Sequence, residues 1–332
     1  MNTTDISVVV LTYNAPQYVE GLLTSLQKQT LQPKEVIVID NSTEATTAEE
    51  VERVAPEAQL YEQETNLGFS GGMNVGIEKA TAPTILILNQ DMELEPDCLE
   101  QLAAYLTTHK EVGALAPKLK RFEEGNTIDA MGLTLTKARR YTNIGEGAED
   151  IHQYDGKQVF GVSGTAILFQ RAALHAISFT RPDGTTEYFD EDFVAYKDDV
   201  DMSYRLRHAG WDIAIAPEAI AYHKRTVQEK QMQYNTGIFS ARKEKSEWLR
   251  INSWRNHLFV LLKNEPLPNL VLHFPWIVFQ ELQKLVFMLL FERSTYKGVP
   301  SLLQLLPLML KKRRHILKNS SFSAKDIRKW VQ

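Results

Sequence analysis

Three short runs of consecutive apolar, mostly β-branched residues constrain this chain most: Ile6–Thr12 (ISVVVLT), Glu35–Asp40 (EVIVID) and 84–88 (TILIL). A run that is apolar at every position, rather than at alternate ones, suits a strand covered on both faces. Between them the period changes. Pro16 can open a helix, and Tyr18, Leu22, Leu23 and Leu26 then recur at helical spacing. Residues 46–54, 71–80 and 95–108 read as further helices, and 59–61 as a weak strand. Strand and helix alternating with short links predicts an α/β fold with a mostly parallel central sheet. Ligands of such sheets bind at the carboxyl ends of the strands, so Thr12 to Asn14, Asp40 to Ser42 and Asn89 to Asp91 should converge on one rim.

The middle of the chain, from Val112 to about Thr226, is mixed: a strand over 165–169 after the break Gly161 to Gly164, a helix over 198–209 ended by Gly210, and extended stretches at 211–216 and 219–223. Beyond Glu244 the pattern is helical and apolar. With 332 residues, 43% hydrophobic and 24% charged, the chain is no disordered, collagen-like or coiled-coil protein. A single cysteine, Cys98, excludes a disulfide framework and an all-cysteine metal site. No signal peptide and no membrane-spanning helix are expected, since no apolar run reaches about 18 residues.

Charge is unevenly spread. The net balance is −5, yet from Glu292 onward ten Lys/Arg face only Glu292 and Asp326, leaving +8 in the tail and −13 elsewhere. That asymmetry implies an anionic partner for the tail. The acidic remainder argues against nucleic acid. The apolar stretch 302–310 running into Lys311, Lys312, Arg313 and Arg314 has the pattern of a helix lying in an anionic membrane surface. A helical core or homo-oligomer interface with a solvated basic end is the other reading. The stretch 270–291 is also strongly apolar, interrupted by Pro275, Glu281 and Lys284.

Four clusters carry chemistry. Residues 66–76 (NLGFSGGMNVG) hold four glycines before a helix, where backbone N–H groups and a helix N-terminus favour phosphate; a tight loop without a ligand fits equally. Asn89, Gln90 and Asp91 follow a buried strand, where an acid suits Mg²⁺ or Mn²⁺ carried with a diphosphate, or merely caps the strand. The carboxylates of 187–201 repel one another unless solvated or partnered, and pairing can raise one pKa to make a general base. His223 closes the extended stretch AIAYH, where a structural histidine is the commoner case.

Taken in order, VVVLTYNAPQYV (8–19), EVIVIDNST (35–43), NLGFSGGMNVGI (66–77), ILNQDMEL (87–94), GVSGTAILFQRAAL (161–174), FDEDFVAYKDDVDMSYRLRHAGW (189–211) and IAPEAIAYHKR (215–225) resemble the family 2 glycosyltransferases with a GT-A fold, most closely their rhamnosyltransferase-type branch. The resemblance covers roughly residues 6–225. It implies a GT-A domain over 1–226, with a nucleotide-binding half (1–110) and an acceptor half (111–226); the helical region 227–332 that follows is the one whose apolar and basic pattern suggests membrane association.

By the same resemblance, Thr12, Asn14, Asp40, Asn66, Gly72, Asn74, Asn89 and Asp91 bind the nucleotide sugar. Asp91 and His223 hold Mn²⁺ or Mg²⁺, although Asn89 stands where the family's metal motif has its first acid. Asp199 is the catalytic base, and Ser163, Gly164, Asp198, Asp201 and Trp211 line the acceptor pocket. The reaction implied is inverting transfer from a dTDP- or UDP-sugar, with dTDP-L-rhamnose the best match, to a cell-surface polysaccharide or lipid-linked glycan. The enzyme would sit at the inner face of the cytoplasmic membrane. Two rivals remain: a non-catalytic membrane-bound assembly subunit, for which Asn89 speaks, and a nicotinamide-dependent oxidoreductase, against which the missing G-x-G-x-x-G speaks.

Overall fold

The computed structural model describes residues 4–44, 46–181, 183–225 and 246–332. Its centre is a sheet of nine strands among the described residues: β1 (Ile6–Thr12), β2 (Glu35–Asp40), β3 (Gln59–Glu62), β4 (Thr84–Asn89), β5 (Met92–Leu94), β6 (Val112–Arg121), β7 (Ile128–Ala130), β8 (Ala166–Gln170) and β9 (Asp212–His223). The order is β3-β2-β1-β4-β8-β6-β9-β5, with β7 on β6. As the apolar runs predict, β1 is parallel to β2 and β4, with Val9 opposite Ile37 and Ile87, all fully buried. Each such side chain contributes about 1.5–3 kcal/mol of hydrophobic stabilisation.

The other half is mixed rather than parallel. β8 runs antiparallel to both β4 and β6, and β9 antiparallel to β5. After β6 the chain makes an excursion over 122–165 and returns from the carboxyl rim, so β8 must point back. That reversal brings Ser163, Gly164 and Thr165 to the same rim as Asn89; the Asn89 N–H donates to the Thr165 carbonyl at 3.0 Å. The stretches 211–216 and 219–223 form one strand, its register slipping between Ala216 and Ile220, where Pro217 lacks an N–H for the ladder.

Helices α1 (Val19–Gln27), α2 (Ala48–Val54), α3 (Gly68–Lys79), α4 (Cys98–Thr108), α5 (Arg171–Ile177) and α6 (Asp198–His208) surround the sheet. α1 buries Val19, Leu22, Leu23 and Leu26, the apolar face read from the sequence. Gly210 ends α6 with φ +86°, a conformation glycine adopts freely.

The C-terminal helices are α7 (Glu247–Asn264), α8 (Leu267–Leu272), α9 (Phe274–Phe291), α10 (Val299–Lys318) and α11 (Ala324–Arg328). The boundary expected at 226/227 lies outside the described residues. Against the expectation of no spanning segment, α9 is by length and composition long and apolar enough to cross a membrane.

Candidate functional site

At the ends of β1 and β2, Thr12 and Asp40 are register partners, and the Thr12 hydroxyl donates to Asp40 Oδ1 at 3.0 Å. Asp40 also accepts from the Ser42 N–H, the Thr46 hydroxyl, and the N–H and hydroxyl of Thr47. Burial alone would raise its pKa, but these bonds, from Ser42, Thr47 and Thr12, hold it below the usual range. Asn14, left-handed at φ 45°, fastens the same loop: its Oδ1 accepts from the N–H groups of Thr43 and Glu44. The three residues are thus brought together, with their side chains engaged in shaping the loop. Gln90 grips the Tyr13 backbone in both directions. It leaves the Tyr13 ring 45% exposed at the rim, as a face on which a base can stack.

The glycine-rich segment is the first turns of α3 rather than an open ligand loop. Asn66 Oδ1 accepts from the Gly68 N–H at 2.8 Å and opens the helix. A Cβ on Gly72 would lie 2.4 Å from Leu11 Cδ1, so this glycine lets the helix approach the sheet. Asn74 is buried. Its amide donates to the Phe189 carbonyl and Glu191, and its oxygen accepts from Tyr188 and Phe189. Gly72 thus packs on β1, and Asn74 pins the 188–191 stretch to α3.

Asp91 and His223 lie 132 positions apart in the chain, yet the antiparallel pairing of β5 with β9 sets His223 opposite Met92. Its Nε2 lies 3.1 Å from Asp91 Oδ2, and its Nδ1 lies 2.9 Å from Asp129 Oδ2. Arg225 holds the other Asp129 oxygen at 2.5 Å. Burial would lower the His223 pKa, but Asp129 and Asp91 outweigh it and raise the value to about 9. One carboxylate and one imidazole side by side, with the far ring nitrogen fixed by a second carboxylate, is a donor set that fits a Mn²⁺-like ion. Sequence reasoning missed Asp129, which stands far from His223 in the chain and carries no local signal.

Across the rim, Asp199 Oδ2 accepts from the Gly164 N–H at 3.3 Å and Oδ1 from the Val200 N–H at 2.8 Å. Asp198 is buried beside it. Desolvation and the Asp199 charge push the Asp198 pKa up to about 8, and desolvation raises Asp199 as well. Of the two, Asp199 is the more exposed. Ser163 bonds Thr165 at 2.9 Å within the connecting loop. Thus Asn89, Ser163, Gly164, Asp198 and Asp199 form one continuous wall.

Two expected pocket residues are elsewhere. Asp201 is fully buried, bonded to Arg205, Lys263 and Asn264. Trp211 packs against Gly113 past the far end of α6, at the opposite rim of the sheet.

The acidic stretch is partnered from the C-terminal helices. Lys312, of the basic tail cluster, sits 2.6 Å from Asp190, 2.9 Å from Asp192 and 3.1 Å from Glu187, and Lys263 bridges Asp190 and Asp201. Arg313 donates to the carbonyls of Leu262 and Glu265. The basic cluster is therefore half internal, and part of the tail's anionic partner is this chain's own acidic loop.

Asn256 adds a clamp. Its amide donates to the carbonyls of Phe193, Ala195 and Tyr196, in a loop where Val194, Tyr196 and Lys197 all have positive φ. Such strain persists only when the surroundings enforce it, and this loop leads directly into Asp198 and Asp199.

The sequence profile of Glycosyl transferase family 2 matches residues 7–178. The N-acetylglucosaminyl-diphospho-decaprenol L-rhamnosyltransferase of Mycobacterium tuberculosis is 25% identical over 65% of this chain and 75% of its own length. The O-antigen chain rhamnosyltransferase RfbN of Salmonella typhimurium is 22% identical over 71% of this chain and 72% of its own. An uncharacterized glycosyltransferase of Haemophilus influenzae is 29% identical, but the match spans only 35% of this chain and 36% of that relative. Among solved structures, S. aureus TarS residues 1–349 in complex with UDP superposes with a TM-score of 0.53 at 18% identity, covering 96% of this chain and 89% of that one. GalNAc-T7 with UDP, GalNAc and Mn²⁺ gives 0.56 at 13% identity, over 78% and 48%. These structural likenesses establish a shared GT-A-like fold.

Proposed function

Because the chain belongs to glycosyl transferase family 2, we propose that it transfers a sugar, with inversion, from a nucleoside-diphosphate donor to a glycan or lipid-linked acceptor. The observation that carries this reading is the meeting, on one rim, of Asp91 with His223 and of Gly164 with Asp199.

In this reading Thr12, Asn14 and Asp40 shape the seat for the nucleoside, with Tyr13 beside it. Asp91 and His223 would hold a divalent ion, which when bound supplies positive charge to the departing diphosphate. Asp199 takes the proton of the acceptor hydroxyl as its oxygen forms the bond to the anomeric carbon. The bond from that carbon to the diphosphate oxygen breaks on the opposite face, through an oxocarbenium-like state. The Gly164 N–H, on Asp199 Oδ2, leaves a syn or anti lone pair of the carboxylate for the proton. No covalent nucleophile is needed.

The donor is proposed to be dTDP-L-rhamnose, a choice supported by the names of the two rhamnosyltransferase relatives, and the site of action the inner face of the cytoplasmic membrane. A thermal-shift panel of dTDP-L-rhamnose, UDP-GlcNAc and other nucleotide sugars with Mn²⁺ tests the donor, since a bound ligand raises stability by mass action. Slow hydrolysis of the preferred donor, abolished in Asp199→Ala, would support the enzyme. Absence of any turnover would favour a non-catalytic assembly subunit, the reading Asn89 supports.

A further inference from the structure

Helix α9 has its polarity reversed. Its inward face repeats at helical spacing through Ile277, Glu281, Lys284 and Met288, so both charged residues of the helix point at the protein, where Glu281 bonds His257 at 2.9 Å and Lys284 at 2.7 Å. Its outward side carries Phe279 (64% exposed), Leu282, Val286, Leu289 and Leu290 (63%). The preceding α8 extends this ridge with Leu267 and Val271. An ordinary surface helix has the opposite arrangement, apolar in and charged out. Contiguous exposed apolar surface of this size marks an interaction site.

We infer that the α8–α9 ridge docks in the plane of an anionic lipid bilayer, and that this ridge, rather than the Lys311 to Arg314 cluster, is the principal membrane contact. Three observations select lipid as the occupant. First, the exposed apolar side chains wrap about half the circumference of α9, a convex ridge that acyl chains can surround, whereas a protein partner covers one side. Second, cations flank it: exposed Lys137 stands 5.5 Å over the Trp276 ring at one end, and exposed Arg293 follows the other end, bonded to the Leu289 carbonyl. Aromatic and basic side chains at the margins of an apolar face suit the headgroup layer. Third, Lys312 and Arg313 are committed to internal partners, so the tail cluster offers only Lys311 and Arg314 to a surface. With Glu281 and Lys284 tied to the protein, the helix lies in the surface and does not cross it. The inference rests on the surface itself and not on which sugar is transferred.

The test uses the full chain in vesicle flotation, with phosphatidylcholine alone and with phosphatidylcholine:phosphatidylglycerol at about 70:30. Wild type is expected to float with the anionic vesicles, and Leu282→Glu/Val286→Glu to bind more than about tenfold more weakly. Lys311→Gln/Arg314→Gln should change binding by less than about threefold. Because Leu282 and Val286 are exposed, thermal unfolding of the double variant should match wild type. Trp276 fluorescence should be quenched by acyl-brominated lipid, a signal absent in Trp276→Phe. Equal flotation of wild type and Leu282→Glu/Val286→Glu would overturn the proposal. So would a wild type that ignores vesicles yet sediments as a dimer that the same variant dissociates, since a second copy would then cover the ridge. Donor hydrolysis by the same variants is scored separately, so loss of docking and failure of the transferase reading are distinguishable.

Discussion

Strands β1, β2 and β4 meet through Val8, Val9, Val10, Ile37 and Ile87, side chains with no exposed surface. Helices α7 and α10 meet the same domain through Lys263 and Lys312, set among Asp190, Asp201 and Glu187. The first kind of contact is non-directional, so it tolerates any apolar side chain of similar volume. The second is directional, and it fails when one charge is left without its partner. Burial would raise the Asp190 pKa, but Lys263 and Lys312 hold it well below the carboxylate range, so Asp190 is ionised at neutral pH. The two regions join at the loop 193–197, clamped by Asn256 and leading into the reactive carboxylates.

The largest effect is expected at that junction. Asp199→Asn should lower kcat by about 10²–10⁴-fold, the usual contribution of a general base, with nucleotide-sugar affinity changed only a few-fold. Stopped single-turnover assays and a binding titration check this; near wild-type kcat would move the role to Asp198.

The contrast between the two kinds of contact is sharpened by Lys312→Met. Removing one partner of a buried ionic group loses about 3–5 kcal/mol, and adding Asp190→Asn should recover part of it. Leu22→Ala in the apolar layer should lose about 2–5 kcal/mol, with no such recovery available from a second substitution. Urea unfolding of the single and double variants measures both. Additive losses for Lys312→Met and Asp190→Asn would break the comparison.

Next in size is the pH dependence of metal binding. His223 is raised to about 9 and so is protonated at neutral pH. A metal ion at Nε2 must displace a proton, and affinity for Mn²⁺ should rise about tenfold per pH unit below 9. Calorimetry in buffers of different ionisation enthalpy counts that proton. In His223→Gln the slope should vanish.

Smallest is the effect of Asp198→Asn. The Asp198 carboxyl binds a proton more tightly folded than unfolded, so its stabilisation is full below pH about 4 and is lost as pH rises through about 8, and desolvation shifts Asp199 in the same direction. The substitution removes the carboxyl that titrates near 8, so the alkaline decline in stability should flatten. Thermal unfolding across about pH 5 to 9 checks this, and an unchanged decline would show that Asp198 does not carry it.

The same contrast explains what the sequence discloses. The buried strands announce themselves in consecutive residues such as VVV at 8–10, and so do the rim positions they end on. Asp91 and His223 were readable from motif order. Asp201 and Trp211 share the motif stretch of Asp199, but about half a turn of helix points Asp201 inward and a whole helix carries Trp211 to the opposite rim. Gly72 and Asn74 look like ligand residues because a glycine that admits a phosphate and one that admits a leucine are identical in sequence. Asp129, Asn256, Lys263 and Lys312 act on partners far along the chain, and charge counting assigns Lys312 to a membrane surface or a solvated end when it is buried. Glu281 and Lys284 interrupt an apolar run, and only the fold reveals that they face inward.

The excursion between β6 and β8 first pairs back on β6 as β7, then leaves the sheet and re-enters it at the same rim. Beyond β7 its length can therefore vary without shifting the register of any strand, which makes it an interchangeable module. Because Asp129 travels with it, any exchange of this module also resets the anchor behind His223. A chimera carrying a foreign excursion therefore needs an acid at the place of Asp129 to keep the His223 ring in its present orientation.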